Sequence, residues 1–391
     1  MNIVNKIFAM AFALAIGFSA LSCVAEEEPV NQQNGSFNDI SAEELVSQMT
    51  VGWNLGNTLD AHNGARESVN TPVRNIERRW VSHLTNRANI AALKSAGFNT
   101  IRIPVTWYKV CDDNYVIRED WMERVKEIVD YAVESDMYII LNTHHDNHIF
   151  KFMNAQAKES QKAFVKIWQQ IADTFKWYNE KLVFEALNEP RTEGSAAQWN
   201  GGTSEERANL NDHYQIFVDT IRESGGYNKK RILMVNTYAA SSGATAVNGL
   251  MLPSDTVLDK IIVSVHAYEP YNFALSTAEN AVSTWNSATG GAVITQLIDR
   301  AYNAFVLSGY PVVIGEFGAM DRNNEAVRGE WAEFYVGYAK SKGIPCIWWD
   351  NHVFSGNGER FGLFDRTNNT ITYPLVVEGL MRGAGVLVTN Q

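Results

Sequence analysis

Cysteine is nearly absent from this chain of 391 residues, which has three, at positions 23, 111 and 346. So few thiols exclude a disulfide scaffold, and a core of this size does not need one. Beyond Cys23, only Cys111 and Cys346 remain, to be paired or free. Clustered positive charge is missing too. The net charge is −11 and no Lys/Arg run exceeds Lys229-Lys230-Arg231, so the basic patch that a nucleic-acid partner requires is lacking. No glycine-rich phosphate turn follows an early strand, and there is no G-x-S-x-G around a serine nucleophile. One histidine-rich run stands out, His144-His145-Asp146-Asn147-His148. Successive strand residues point to opposite faces, so His144 and His145 are not expected to share an ion. With no second cluster at ligand spacing, neither metal nor cofactor is expected.

Long apolar runs are scarce as well. Lys6 gives a short positive start, and Ile7 to Leu21 form an uncharged stretch. That stretch is too short for a membrane span and reads as a secretory signal. Ala20-Leu21-Ser22-Cys23 resembles a bacterial lipoprotein cleavage box, with Ala20 where that pattern prefers Leu. Cys23 would then be the lipidated first residue; ordinary cleavage after Ala25 is the alternative. Glu26-Glu27-Glu28 resemble the acidic signals that direct some lipoproteins to the outer face of the cell. The expected division is a signal peptide over 1–22, a polar tether over 23–38 and one folded domain over 39–391. The chain is expected to be exported, as an outer-membrane or surface lipoprotein or else secreted. It is also expected to be a monomer that touches a membrane only through the lipid on Cys23.

What is present is a large apolar fraction, 46% of residues, with 20% charged. Eight short apolar runs recur about 30 to 50 residues apart. They are MTVGWNLG (49–56), FNTIRIPVTW (98–107), MYIILNTHH (137–145), LVFEALNEP (182–190), RILMVNTY (231–238), KIIVSVHAY (260–268), PVVIGEFG (311–318) and IPCIWWDN (344–351). Amphipathic helices fit between them. In 118–135, Trp121, Val125, Ile128, Val129 and Ala132 fall at helical spacing, and 161–177, 291–307 and 325–341 show the same period. Apolar strands alternating with such helices predict a parallel sheet covered on both sides, and eight units predict a closed (β/α)8 TIM barrel, class α/β.

In that architecture, functional side chains gather where the strands end. The runs end on Asn54, Arg102, His144, Asn188 with Glu189, His266 with Tyr268, Glu316 and Trp348. Pro190 brings no N–H to a ladder and is expected to stop the fourth strand where Glu189 faces the cleft. Glu189 and Glu316 end strands four and seven, across one mouth from each other. Two carboxyl groups on one cleft can divide acid and nucleophile work, as glycoside hydrolysis requires. Arg102 and Tyr268 are placed to separate their protonation states. Trp53, Trp107, Trp199, Trp285, Trp348 and Trp349 sit at strand ends or in the loops beyond, where flat rings suit pyranose faces, although any one of them could equally be core. His62, His83, His213 and His352 are expected to have no chemical task, and Glu185 has none that the sequence discloses.

Read in order, GWNLGNTLDA (52–61), IRIPVTW (101–107), LNTHHD (141–146), FEALNEP (184–190), VHAYEPY (265–271), IGEFGA (314–319) and WWDN (348–351) resemble glycoside hydrolase family 5, the retaining cellulases, and most of all its subfamily 4 endoglucanases. The resemblance implies that Glu189 is the general acid/base and Glu316 the nucleophile. It implies that Arg102 and Tyr268 hold the nucleophile, and that Asn188 binds the 2-hydroxyl. His144 and His266 would shape the −1 subsite, Trp348 would stack beneath its sugar, and His145 and Asn54 would join the substrate contacts. The implied activity is a retaining endo-β-1,4-glucanase acting on cellulose-like chains, mixed-linkage β-glucan or xyloglucan, without a cofactor. Another β-1,4-glycan such as mannan or xylan, or an inactive glycan-binding barrel, are the alternatives. His352 departs from the pattern, since related sequences often carry Gly after WWDN.

Overall fold

The computed structural model describes residues 36–387. The signal segment, the Cys23 box and most of the tether lie outside the described residues. Phe37 already packs on the Tyr227 ring, and Asn38 donates through its backbone and side chain to Glu180. Contact with the body therefore begins before the expected Asp39.

Eight parallel strands close into a barrel in sequence order. They are β1 (Val51–Leu55), β2 (Thr100–Ile103), β3 (Tyr138–Asn142), β4 (Leu182–Glu185), β5 (Leu233–Ser241), β6 (Ile261–His266), β7 (Val312–Phe317) and β8 (Cys346–Asp350). Each grows from one of the eight apolar runs. Helices Arg87–Ser95, Glu119–Glu134, Asn154–Phe175, Ser204–Glu223, Ala244–Gly249, Ser287–Ala304, Glu325–Ser341 and Pro374–Ala384 follow the successive strands, which completes a (β/α)8 TIM barrel. The helix Glu119–Glu134 buries Trp121, Val125, Ile128, Val129 and Ala132 against the sheet, the stripe its spacing predicts.

Inside the barrel, chemistry changes with height. Ile140, Val183, Met234, Ile262, Val313 and Ile347 form a buried apolar lower layer. Burying each contributes about 1.5–3 kcal/mol. The helix Ala42–Gln48 closes the layer from below with Ala42, Leu45 and Val46, and starts at a capping box between Ser41 and Glu44. Two residues further along each strand, on the same face, stand Asn142, Glu185, Asn236, Ser264, Gly315 and Trp349. Asn54 and Arg102, in register with each other on β1 and β2, complete this upper layer. An apolar floor thus carries a polar ceiling, and the ceiling must satisfy its own charges.

One expectation changes here, and one open question closes. β4 ends at Glu185, not at Pro190. Its ladder with β5 stops at Glu185↔Met234, and Asn188 and Glu189 sit on the segment beyond. That segment stays at the rim because Ala186 donates to the Met234 carbonyl at 2.9 Å and Ala239 donates to the Pro190 carbonyl at 2.8 Å. Cys111 and Cys346 are both buried and free.

Candidate active site

Arg102 is the hub of the upper layer. Its side chain is fully buried, and its guanidinium donates from Nε to Glu185 Oε2 at 2.6 Å. Nη1 donates to Asn54 Oδ1 at 3.0 Å and to Glu316 Oε1 at 2.7 Å, and Nη2 to Asn188 Oδ1 at 2.7 Å. Burial alone would lower its pKa, but Glu185 and Glu316 outweigh that and hold the cation charged. A planar fork with donors in three directions is what only arginine supplies.

Glu185 therefore has a role that the sequence did not disclose. Its second oxygen accepts from Asn236 Nδ2 at 2.9 Å, so the carboxylate is buried but fully partnered. The available signal was strand parity, because Glu185 follows Val183 on the inward face. Asn54 also differs from expectation. Its Nδ2 donates to the carbonyls of Gly315, Ile347 and Trp348, and its Oδ1 accepts from Arg102. With every polar atom used and no exposure, Asn54 ties β1 to β7 and β8 and is not a ligand contact.

The two predicted carboxylates come together. Tyr268 donates its hydroxyl to Glu316 Oε2 at 2.9 Å. His266 Nδ1 lies 3.1 Å from Glu189 Oε1 and 3.6 Å from Glu316 Oε2. An oxygen of each carboxylate and a ring nitrogen of His266 all fall within 4.8 Å of one another. Glu316 reaches this cleft because the pairing of β6 with β7 shifts register between Val265↔Ile314 and His266↔Glu316. Regular alternation would place Gly315 inward and Glu316 outward.

The electrostatics divide the residues. Burial works to raise the Glu189 pKa, but the hydrogen bond and electrostatic interaction with His266, and then Arg191, outweigh it and hold the carboxyl below its ordinary value. Burial, reinforced by Glu316 and Glu189, lifts the Tyr268 hydroxyl well above its usual range, so it remains a neutral donor. His144 is pushed well below the usual histidine value by burial and then by His145, Arg102 and His266. His145 is lowered to about 3, by burial and then by His62. Both imidazoles are thus favoured in the neutral form.

The aromatic assignments need the largest correction. Trp348 has no exposed surface, donates Nε1 to the Phe361 carbonyl and packs edge-on against Phe317 and Trp331 between barrel and helices. β8 pairs Trp53↔Trp348 and Asn54↔Trp349, so Trp348 shares the outward face of Trp53, and Trp349 shares the inward face of Asn54. Trp349, at 8% exposure, lies parallel to the His144 ring at 5.8 Å and belongs to a small apolar cluster with Met320 and Phe361 that Tyr268 packs against. Trp53 and Trp107 are also core, with their indole N–H groups donating to Asp350 and the Asn142 carbonyl. Trp199 and Trp80 keep an open surface, at 60% and 43%.

β3 stops at Asn142, so strand alternation does not extend to His144 and His145. Their ring centroids lie 4.4 Å apart, and His62 and Trp80 pack beside His145. His62, expected to be idle, thus lines the rim. Among the described residues, two sets could converge on a cation: Asp60 with His144 and His145, and Glu189 with His266 and Glu316. Asp60 already accepts from the backbone of Asn57 and Thr58, and the second set is the carboxylate pair itself. His83 bonds Asn89 and His213 bonds Ser160, both away from the cleft.

The comparisons with known proteins agree with this geometry. The sequence pattern of the family described as Cellulase (glycosyl hydrolase family 5) matches residues 63–355. Endoglucanase A of Clostridium longisporum is 43% identical over 367 residues, 94% of this chain and 69% of that protein. A GH5-4 broad specificity endoglucanase from Ruminococcus champanellensis, solved with bound cellotriose, superposes with a TM-score of 0.84 at 42% identity, covering 89% of this chain and all of that one. A glycoside hydrolase 5 lichenase from Caldicellulosiruptor sp. F32, solved as a mutant with cellotetraose, gives a TM-score of 0.84 at 41% identity over 90% of this chain and 97% of that one.

Proposed function

The chain belongs to the cellulase family, glycosyl hydrolase family 5, and on that footing we propose that it is an endo-β-1,4-glucanase cutting internal bonds by double displacement. Cellulose-like chains, mixed-linkage β-glucan and xyloglucan are its substrates. The relatives described as broad specificity endoglucanases and as a lichenase support that range.

The observation that carries the mechanism is the separation of the carboxylates, with an oxygen of Glu316 within 4.8 Å of one of Glu189. Retaining enzymes hold their two carboxyl groups about 5–5.5 Å apart, whereas inverting enzymes leave about 6.5–9.5 Å for a water. Glu316, accepting from Arg102 and Tyr268, attacks the anomeric carbon. Glu189 delivers a proton to the departing glycosidic oxygen, then deprotonates the water that hydrolyses the glycosyl-enzyme. His266 and Arg191 favour ionised Glu189, so its proton must return when sugar displaces water and the charged form loses solvation. His266, 3.1 Å from Glu189 and 3.6 Å from Glu316, holds the two carboxylates in one cluster. Asn188, His144 and Trp349 supply hydroxyl contacts and a stacking face around the reacting ring, with His145 further along the rim.

Glu316→Ala should lower kcat on mixed-linkage β-glucan at least about 10⁴-fold with the fold retained. NMR of the first product should show the β-anomer; an α-anomer at the outset removes the double displacement. The chain is further proposed to be exported and monomeric, with Cys23 lipidated or the leader cut after Ala25. The mass of the mature N-terminus decides between these two. No helix among the described residues is long and apolar enough to cross a membrane.

A further inference from the structure

Arg191 lies one residue past Pro190 and has no part in the scheme above. Its side chain is only 13% exposed, and Nη1 donates to the Glu189 carbonyl at 2.8 Å while lying 3.3 Å from Glu189 Oε2. Nη2 is 3.7 Å from Glu193 Oε1, and the guanidinium carbon sits 4.4 Å over the Trp199 ring. Nε is buried without a hydrogen-bond partner, so stacking on Trp199, not a full set of acceptors, fixes this fork. Arg191 lies over one face of the indole, and Trp199 as a whole keeps 60% of its surface exposed.

The loop that carries both residues is anchored. Thr192 N–H donates to the Tyr238 hydroxyl at 2.9 Å, and that hydroxyl donates to Glu206 Oε1 at 2.8 Å. Glu206 in turn closes the capping box of the helix Ser204–Glu223. Gly202 lies against the Tyr238 ring at φ +70°, where a Cβ would approach to 2.6 Å. Asn147 donates to Glu193 at 2.8 Å and ties the loop to the segment after β3.

We propose that Arg191 is a positioning residue for the proton donor: stacked on Trp199, it fixes the Glu189 carboxyl and backs an aromatic platform for the glucan on the leaving-group side of the cut. This rests on Glu189 being the acid/base. The side follows from which oxygen each neighbour meets. His266, next to Glu316, faces Oε1, whereas Arg191 faces Oε2. Sugar beyond the scissile oxygen lies away from the nucleophile, toward Arg191 and Trp199. Binding on the opposite face of Trp199 would hold the indole between sugar and guanidinium, so occupancy of the platform reaches the proton donor through one side chain. The other groups acting on Glu189 are His266 and Tyr268 at the end of β6, Glu316 on β7, His145 after β3 and Glu359 after β8. Arg191 alone among these is stacked on Trp199.

The test compares kcat/KM against pH on mixed-linkage β-glucan for the wild type, R191Q, R191K and W199A. The basic limb reports the free enzyme's proton donor. Removing the cation that favours ionised Glu189 should move that limb to higher pH in R191Q. W199A should move it the same way by less and lower kcat/KM about 3- to 10-fold, chiefly through KM. R191K should keep the limb but share the KM rise, because an ammonium does not stack as a planar fork does. An R191Q limb superimposed on the wild type overturns the proposal. E189A separates the two readings: it should still release aryl from 2,4-dinitrophenyl β-cellobioside, whose leaving group needs no acid, while losing the polymer reaction. Equal loss on both substrates would remove Glu189 as proton donor, whatever R191Q shows.

Discussion

At the scale of single residues, adjacent side chains on one strand do unrelated work. Trp348 and Trp349 are neighbours, yet one fills the space between barrel and helices and the other faces the cleft. Trp348→Ala should therefore cost about 3–5 kcal/mol of stability through the cavity it leaves, read as a lower urea midpoint. Trp349→Ala should lose less stability but lower kcat/KM on β-glucan by roughly 10- to 100-fold. A larger urea shift for Trp349→Ala than for Trp348→Ala would reverse the assignment. The sequence showed that both lie at a strand end; which one faces in depends on register with β1, which a single strand does not reveal. Glu185 makes the same point. Its carboxylate looked like an acidic residue within a buried strand, and only the Arg102 fork and Asn236 explain how it is tolerated there.

At the scale of elements, the departures from regular strands place the chemistry. The β6–β7 register shift turns Glu316 into the cleft. It also brings Gly315 so close to β6 that a Cβ there would lie 2.6 Å from Ser264 Oγ and 3.1 Å from His266 Nε2. Gly315→Ala should push His266 and Glu316 out of alignment and lower kcat about 100-fold while the barrel still folds. Unchanged kcat with unchanged circular dichroism would show that β6 can yield. The departure at His352 has a conformational basis: φ is +57°, in the left-handed region that glycine adopts most readily. Its N–H donates to Asp350 Oδ1 at 2.7 Å, and Nδ1 faces the Phe364 carbonyl, which helps hold the strained backbone. Strand positions were legible from apolar runs, and helices from their period. The end of β4 was not, because Pro190 marks where a strand cannot continue, whereas the ladder ends where β5 stops offering partners.

At the scale of the whole molecule, carboxyl groups buried in the segments beyond β1 and β3 set a pH dependence of stability. Asp146 is buried; its Oδ1 accepts from the N–H groups of Trp107 and Tyr108, while its Oδ2 has no partner. Burial raises its pKa from 3.8 to about 7, and burial raises that of Asp60 to about 6. Between the unfolded and folded values, the native state keeps protons that the unfolded chain has released, so stability falls as pH rises through that window. The urea midpoint should drop from pH 5 to pH 7, and Asp146→Asn should flatten that slope. Parallel slopes for the two proteins would show that Asp146 does not titrate in this range. Lys109, lowered to about 7 chiefly by burial, acts in the opposite sense only above that pH.

The sequence by itself determined the strand and helix order, the closed barrel, the two carboxylates and their concentration at one rim, because apolar period and strand-end chemistry are local properties of the chain. Tertiary structure decided which face each strand-end residue takes. It made Asn54 and Glu185 supports of Arg102, put Trp349 in the cleft instead of Trp348, brought His62 beside His145, and joined Arg191 to Glu189 and Trp199. Those facts rest on register between strands and on loops anchored to distant elements, and they exist only once the barrel has closed.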